Sequence, residues 1–366
     1  GIWSWIGWMG VLAGFLILSY YAVIAGWALA YVFRVGSGMI QASDSAGVQA
    51  IFSELVSDPE KLLAWHTLFM ALTMVVVARG VKQGLEKAVR LLMPLLLILL
   101  LVLVGYAMNT GHFNDAIDFL FKPDFSKLTA GAILTAMGHA FFTLSLGMGA
   151  IMIYGSYLPA NASIAQTSII ISVADTLVAL LAGLAIFPVV FSFPDLTPGA
   201  GPGLIFQTLP LAFANMPGGL IFGTLFFILI VVAAWTSSIS LIEPAVAWLI
   251  ENRGMTRVSA AVWSGLATWL VGIATVLTFS HWAFDFNFLG TVKHNGVFDI
   301  LDILTANIML PLGGLFIAVF AGWMMKQKHS KEELALNHSY RLWWFLIRYV
   351  APVLVLVIIL NLFELI

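Results

Sequence analysis

The sequence predicts an all-α polytopic membrane protein, a helical bundle with one broken span. Three observations carry that expectation. Of 366 residues, 61% are hydrophobic and only 9% are charged, against about 25% charged in a soluble globular chain. Apolar stretches of spanning length recur along the whole chain. One of them is interrupted near its middle by glycines and hydroxyl residues. A net charge of −2 gives no footprint for nucleic acid, and zero cysteines exclude disulfides, thiolate metal sites and cysteine nucleophiles. The chain opens at Gly1 with no charged segment or small-residue cleavage site before its first apolar stretch. That pattern reads as a fragment or processed chain rather than one with a signal peptide.

A span requires about 20 mostly apolar residues. Such stretches run at about 5–34, 62–80, 88–109, 129–157, 164–190, 218–250, 257–278, 298–325 and 342–363, which gives nine expected helices. The long stretches 129–157 and 218–250 must tilt, break or project beyond the bilayer. Arg79, Lys82, Lys87, Arg90, Arg253, Arg257, Lys326, Lys328, Lys331, Arg341 and Arg348 flank the even loops, leaving only five of the 16 basic residues for the other side. The positive-inside rule then places the even loops and the N-terminus in the cytoplasm and the C-terminus outside. Pro194, Pro198, Pro202, Pro210 and Pro217 punctuate 191–217, a stretch that reads equally as a lid over a pathway and as a plain connector.

Polar residues at bilayer depth are costly, about 2.5–3.5 kcal/mol for an ionisable side chain on insertion scales. Asp175 lies well inside the fifth span, either as an interhelical hydrogen-bond partner or as a cation ligand. Glu243, beside Pro244 in the sixth span, reads at least as well as a carboxylate pairing across helices as a transport residue. Asp299 and Asp302 sit one turn apart at the mouth of the eighth span, either solvated or part of a gate. Ala233, Thr236 and Ser237 share one helical face of AAWTSSISLIEP. Their oxygens suit a hard, weakly held ion, and Ser/Thr packing between helices explains them as well. In GHAFFTLSLGMGAIMIYGS, Thr143, Ser145, Gly147 and Gly149 break an apolar helix near its middle. Glycine costs about 1 kcal/mol in a helix interior, and Gly-interrupted spans mark discontinuous helices at midplane sites. Close helix packing through small residues is the alternative.

FFTLSLGMGA in a broken span, an Asp in the next span and then WTSSISLIEP resemble the neurotransmitter:sodium symporter family, its bacterial amino-acid-transporting branch in particular. SYYAVIAGW is similar to that family's third helix, ARGVKQGLEKAVRLLMPLL to the fourth-to-fifth connection and FDILDILTANIMLPLGG to the tenth helix. The resemblance covers essentially the whole chain as helices three to eleven. It implies an inverted-repeat sodium-symporter bundle, a single transmembrane domain over 1–366 lacking its first two helices. The residues in hand would then supply only part of each site, so the 366 residues alone are expected neither to bind sodium tightly nor to transport. The setting implied is a bacterial inner membrane, the state a monomer or weak dimer.

The resemblance further implies roles for individual positions. Tyr21 matches the tyrosine that binds the substrate carboxylate, and Phe142 the aromatic lid that closes over substrate with it. Thr143 matches a ligand of the first sodium, and Ala233, Thr236 and Ser237 match ligands of the second. Asp302 is similar to the acidic half of the extracellular gate. Asp175 stands where the family often carries an asparagine that ligates the first sodium, and Ala179 where chloride-dependent members carry serine. A fixed carboxylate there would repel a bound anion, which implies chloride-independent transport. The implied substrate wall is Ile17, Tyr21, Phe142, Met148 and Leu241, with Thr143, Ser145 and Ser238 as small polar contacts. No charged residue faces the substrate side chain, so a neutral, apolar L-amino acid fits. The rival readings are a non-transporting membrane binding or regulatory protein on the same scaffold and a proton-coupled amino-acid permease. His139 and Glu243 are too isolated for an enzyme's catalytic or metal cluster.

Overall fold

The computed structural model describes residues 3–41, 43–159, 161–193, 201–336, 339–363 and 365. Several helix starts carry a side-chain cap. Asp58 accepts from the amides of Glu60 and Lys61 ahead of α3 (Pro59–Ala78), with Pro59 in the first turn. Asp44 caps α2 (Ser45–Ser57) in the same way. Thr129 caps α6 (Ala130–Thr143), Ser163 caps α8 (Ile164–Phe191) and Thr256 caps α11 (Arg257–Thr278). These caps satisfy amides that have no partner inside the helix. They mark where the spans beginning at Pro59, Ile164 and Arg257 start, within a few residues of the hydropathy limits.

Among the described residues, eight helices are long and apolar enough to cross a membrane. They are α1 (Ser4–Gly36), α3, α4 (Val81–Ala107), α8, α10 (Gly219–Arg253), α11, α12 (Gly296–Met324) and α14 (Tyr340–Leu362). The ninth expected span, 129–157, is present as two pieces, α6 and α7 (Ala150–Ser156), separated by turns. The remaining elements are short: α5 (Phe113–Phe121), α9 (Gly201–Ala214), α13 (Gln327–Leu334) and a hairpin of β1 (Phe286–Phe288) and β2 (Thr291–Lys293). The hairpin turns on Leu289 (φ +48°) and Gly290 (φ +78°), the two positive φ values of a tight two-residue connection. The proline-punctuated stretch 191–217 folds partly into α9, which holds Pro202 and Pro210. Pro194 and Pro198 lie outside the described residues.

Helix α1 is the axis of the bundle. It packs most extensively along α10 and also against α3 and α11. Two buried clusters form along it. One gathers Trp27, Tyr31, Phe206 and Phe227; the other gathers Ile17, Leu18, Phe69, Met148, Leu241 and Leu310. Outward-facing residues are just as apolar. Leu91 is 70% exposed, Ile169 65% and Val353 58%, and contiguous surface of that kind is stable against lipid rather than water.

In α12 the hydrogen bonding widens to i→i+5 over Ile303–Met309. Pro311 supplies no amide to the carbonyl of Asn307 and its ring crowds that oxygen. The wider turn accommodates both effects. Such local widenings recur at functional sites, and this one begins immediately after Asp302.

Candidate functional site

The break between α6 and α7 is held by backbone conformation. Ser145 (φ +56°), Gly147 (φ +82°) and Gly149 (φ +81°) all adopt the left-handed region, which a glycine occupies without strain and a serine only at a cost. The amides of Ser145 and Leu146 turn back onto the carbonyls of Phe142 and Phe141. Those of Gly147, Met148 and Gly149 have no backbone acceptor among the described residues, which leaves three donors at the start of α7 for an anionic group.

Close approach of neighbouring helices fixes the break in place. A Cβ on Gly14 of α1 would lie 2.6 Å from the Leu241 carbonyl oxygen and 3.2 Å from that of Met148. A Cβ on Gly147 would run into the Leu310 carbonyl oxygen. Gly147→Ala therefore combines a φ that costs an L-residue about 1–3 kcal/mol with a backbone clash. We expect a clear drop in the thermal unfolding midpoint of the detergent-purified protein. Gly155→Ala, where a Cβ meets nothing within 4 Å, should leave the midpoint unchanged or raise it slightly.

The structure brings several of the sequence-singled residues together. The Thr143 hydroxyl donates to Asp175 Oδ1 at 2.9 Å, tying the end of α6 to α8. On α10, Thr236 Oγ1 and Ser237 Oγ both reach the Ala233 carbonyl, at 2.9 and 3.2 Å. All three oxygens thus sit within one turn. Two oxygen groups of this kind, one carrying a carboxylate and one neutral, have the chemistry of hard monovalent-cation ligands. Ile17, Met148 and Leu241 are buried in one cluster, and Tyr21 and Phe142 pack against it.

Ser238 is fully buried, and its hydroxyl is engaged with Thr73 Oγ1 of α3 at 2.8 Å and with the Trp235 carbonyl. Phe142 and Asp302 face a shared cavity of about 460 Å³, together with His139, Asn307 and Asn361. Behind Asp302 stands Tyr20, whose phenol lies 3.4 Å from Asp302 Oδ1 and 3.1 Å from Thr305 Oγ1. Phe298 supports the Tyr20 ring edge-on at 5.5 Å.

Glu243 has the partner that its burial demands. Its carboxylate is fully inaccessible and receives both guanidinium arms of Arg257, at 2.7 and 2.6 Å. The Tyr157 hydroxyl adds a bond at 2.8 Å, and Arg257 Nε donates to the Val77 carbonyl at 2.8 Å. One network therefore joins the chain after α7 to α10, α11 and α3. Tyr157, Tyr20, Thr305 and Thr73 drew no attention in the sequence. The one available signal was for Tyr20, adjacent to Tyr21 in an apolar span.

Residues 52–365 match the model of the sodium:neurotransmitter symporter family. The chain belongs to that family. The uncharacterized sodium-dependent transporter YhdH of Bacillus subtilis is 37% identical over 98% of this chain and 80% of its own length. An uncharacterized sodium-dependent transporter of Haemophilus influenzae is 33% identical over 98% and 79%. Among solved structures, the crystal structure of MhsT in complex with L-phenylalanine superposes with a TM-score of 0.89 at 39% identity, covering 99% of this chain and 82% of that one. The chain is a multi-pass membrane protein of a family of sodium-coupled transporters, not enzymes. The family match runs over most of the chain and lends no support to the expected restriction to helices three to eleven.

Proposed function

We propose that this symporter-family protein couples sodium entry to the uptake of a neutral, apolar L-amino acid and does so without chloride. The observation that carries this reading is the Thr143–Asp175 contact at the broken helix, an ionisable group kept at span depth against a hydroxyl. In this reading Thr143 and Asp175 ligate one sodium, and Ala233, Thr236 and Ser237 the other. A non-transporting protein would have no use for two such oxygen sets.

The free amides of 147–149 supply donors for a substrate carboxylate, to which the Tyr21 hydroxyl adds another, and Phe142 closes over the substrate. Ile17, Met148 and Leu241 form an apolar wall, with Ser145 at the break and Ser238 behind it. A charged substrate side chain against that wall would cost several kcal/mol. Met148 is adaptable enough for aromatic and branched aliphatic side chains alike. The similar transporter MhsT, whose crystal structure is a complex with L-phenylalanine, supports this class. Asp302, held by Tyr20, serves as an acidic gate over the cavity it shares with Phe142.

The test is sodium-dependent uptake of labelled leucine or tryptophan by the full-length protein, with a panel of amino acids as competitors. Apolar and aromatic L-amino acids should displace the label. Displacement chiefly by glutamate or lysine would refute the substrate assignment.

A further inference from the structure

We infer that the connection between α12 and α14 forms a binding site for an anionic phospholipid headgroup. A cavity of about 730 Å³ lies there, lined by Gln327, Lys331, Tyr340, Arg341, Trp344 and Phe345 with no acidic side chain among them. Neither Lys331 nor Arg341 has an ion-pair partner among the described residues. The nearest acidic neighbours in sequence, Glu332 and Glu333, do not line the cavity. Glu332 is turned to Lys328 at 3.8 Å.

A third cation backs the site. The Arg348 guanidinium lies 4.2 Å from the Trp323 ring centre and 4.5 Å from that of Trp344. Its Nε is buried without a hydrogen-bond partner among the described residues. Two positive charges, Lys331 and Arg341, thus line one cavity with no ion-pair partner among the described residues, and the Arg348 charge lies behind its wall residue Trp344. A phosphodiester supplies the missing negative charge and the acceptor oxygens that Lys331 and Arg341 lack.

Position favours a lipid over a soluble anion. The cavity sits where two spans end, on the side to which the basic residues assign the cytoplasm. Lys331 lies over the Tyr340 ring at 5.2 Å, and the exposed side chains of Leu342 and Phe345 (61% and 52%) stand beside the cavity for acyl chains to cover. Basic pockets of this kind between transmembrane helices on the cytoplasmic face hold phosphate-bearing headgroups, aided by interfacial aromatic residues.

The test is native mass spectrometry of the full-length protein, purified in detergent and loaded separately with phosphatidylglycerol and phosphatidylcholine. Phosphatidylglycerol should be retained in preference. Lys331→Gln combined with Arg341→Gln should weaken that retention about tenfold or more, given about 1 kcal/mol per basic residue near a headgroup. Lys82→Gln combined with Lys87→Gln, both exposed on the same predicted side, should leave retention unchanged, and Arg341→Lys should keep most of it. Equal retention of both lipids, or undiminished retention by the Lys331/Arg341 variant, would overturn the proposal. So would displacement of the lipid by inorganic phosphate alone, which would identify the occupant as a soluble anion.

Discussion

Replacing Arg257 with alanine is expected to destabilise the protein by about 3–5 kcal/mol, the cost of leaving a buried carboxylate without its cation. Glu243 is wholly inaccessible and Arg257 nearly so, with 19% of its side chain exposed. The substitution removes two charge-assisted bonds to the carboxylate and one to the Val77 carbonyl. Only the Tyr157 hydroxyl remains to stabilise the charge. The size of the effect reflects desolvation more than the worth of the pair. Substituting leucine for both Glu243 and Arg257 should therefore recover most of the loss, because no uncompensated charge then stays inside. Arg253 is the internal comparison: it is exposed and rests over the Trp248 ring at 5.5 Å, and Arg253→Ala should cost no more than about 1 kcal/mol. Thermal unfolding of the four purified proteins in one detergent checks the ranking. An Arg257→Ala midpoint no lower than that of Arg253→Ala would show that the network is not a stabilising cross-link.

How much of this was legible in the sequence depended on whether a feature is local. The spans were legible because bilayer length and apolar composition are properties of one segment. The break in 129–157 was legible because Gly147 and Gly149 depress helix propensity where they stand, and both indeed take left-handed φ values. The resemblance implied that Thr143 and Asp175 stand at the same sodium, and the hydrogen bond between them is the structure's own addition.

Lateral packing was not legible. Helices that are apolar around their whole circumference present no periodic stripe from which a buried face could be read. Hence α1 gave no sign that it was the axis of the bundle, and Tyr20 gave no sign of a partner 282 residues away. The partner of Glu243 was hidden differently. Arg257 was read for its bearing on orientation, yet its guanidinium turns inward across the connection between α10 and α11. Ser238 shows the same limit, since nothing in TSSIS tells which hydroxyl meets Thr73 and which turn back onto the Ala233 carbonyl.

Asp175 carries the larger functional expectation. Replacing it with alanine should raise the sodium concentration for half-maximal uptake by roughly two orders of magnitude or abolish uptake. A carboxylate about 4 Å from a monovalent cation contributes about 4 kcal/mol at an effective dielectric constant of 20, and part of that is recovered by water and by the Thr143 hydroxyl. Asp175→Asn separates charge from shape, because the amide keeps an oxygen within reach of Thr143 but surrenders the fixed negative charge. Chloride could then stand in for the lost charge, most effectively with Ala179→Ser one turn further along α8. Uptake by the Asp175→Asn, Ala179→Ser protein is therefore expected to depend on chloride, while uptake by the unaltered protein stays the same when chloride is exchanged for gluconate. The two halves of the experiment constrain each other. Collapse of the unaltered protein's uptake in gluconate would mean that Asp175 does not replace the anion. An Asp175→Ala protein with unchanged sodium dependence would mean that the carboxylate serves only to tie α6 to α8.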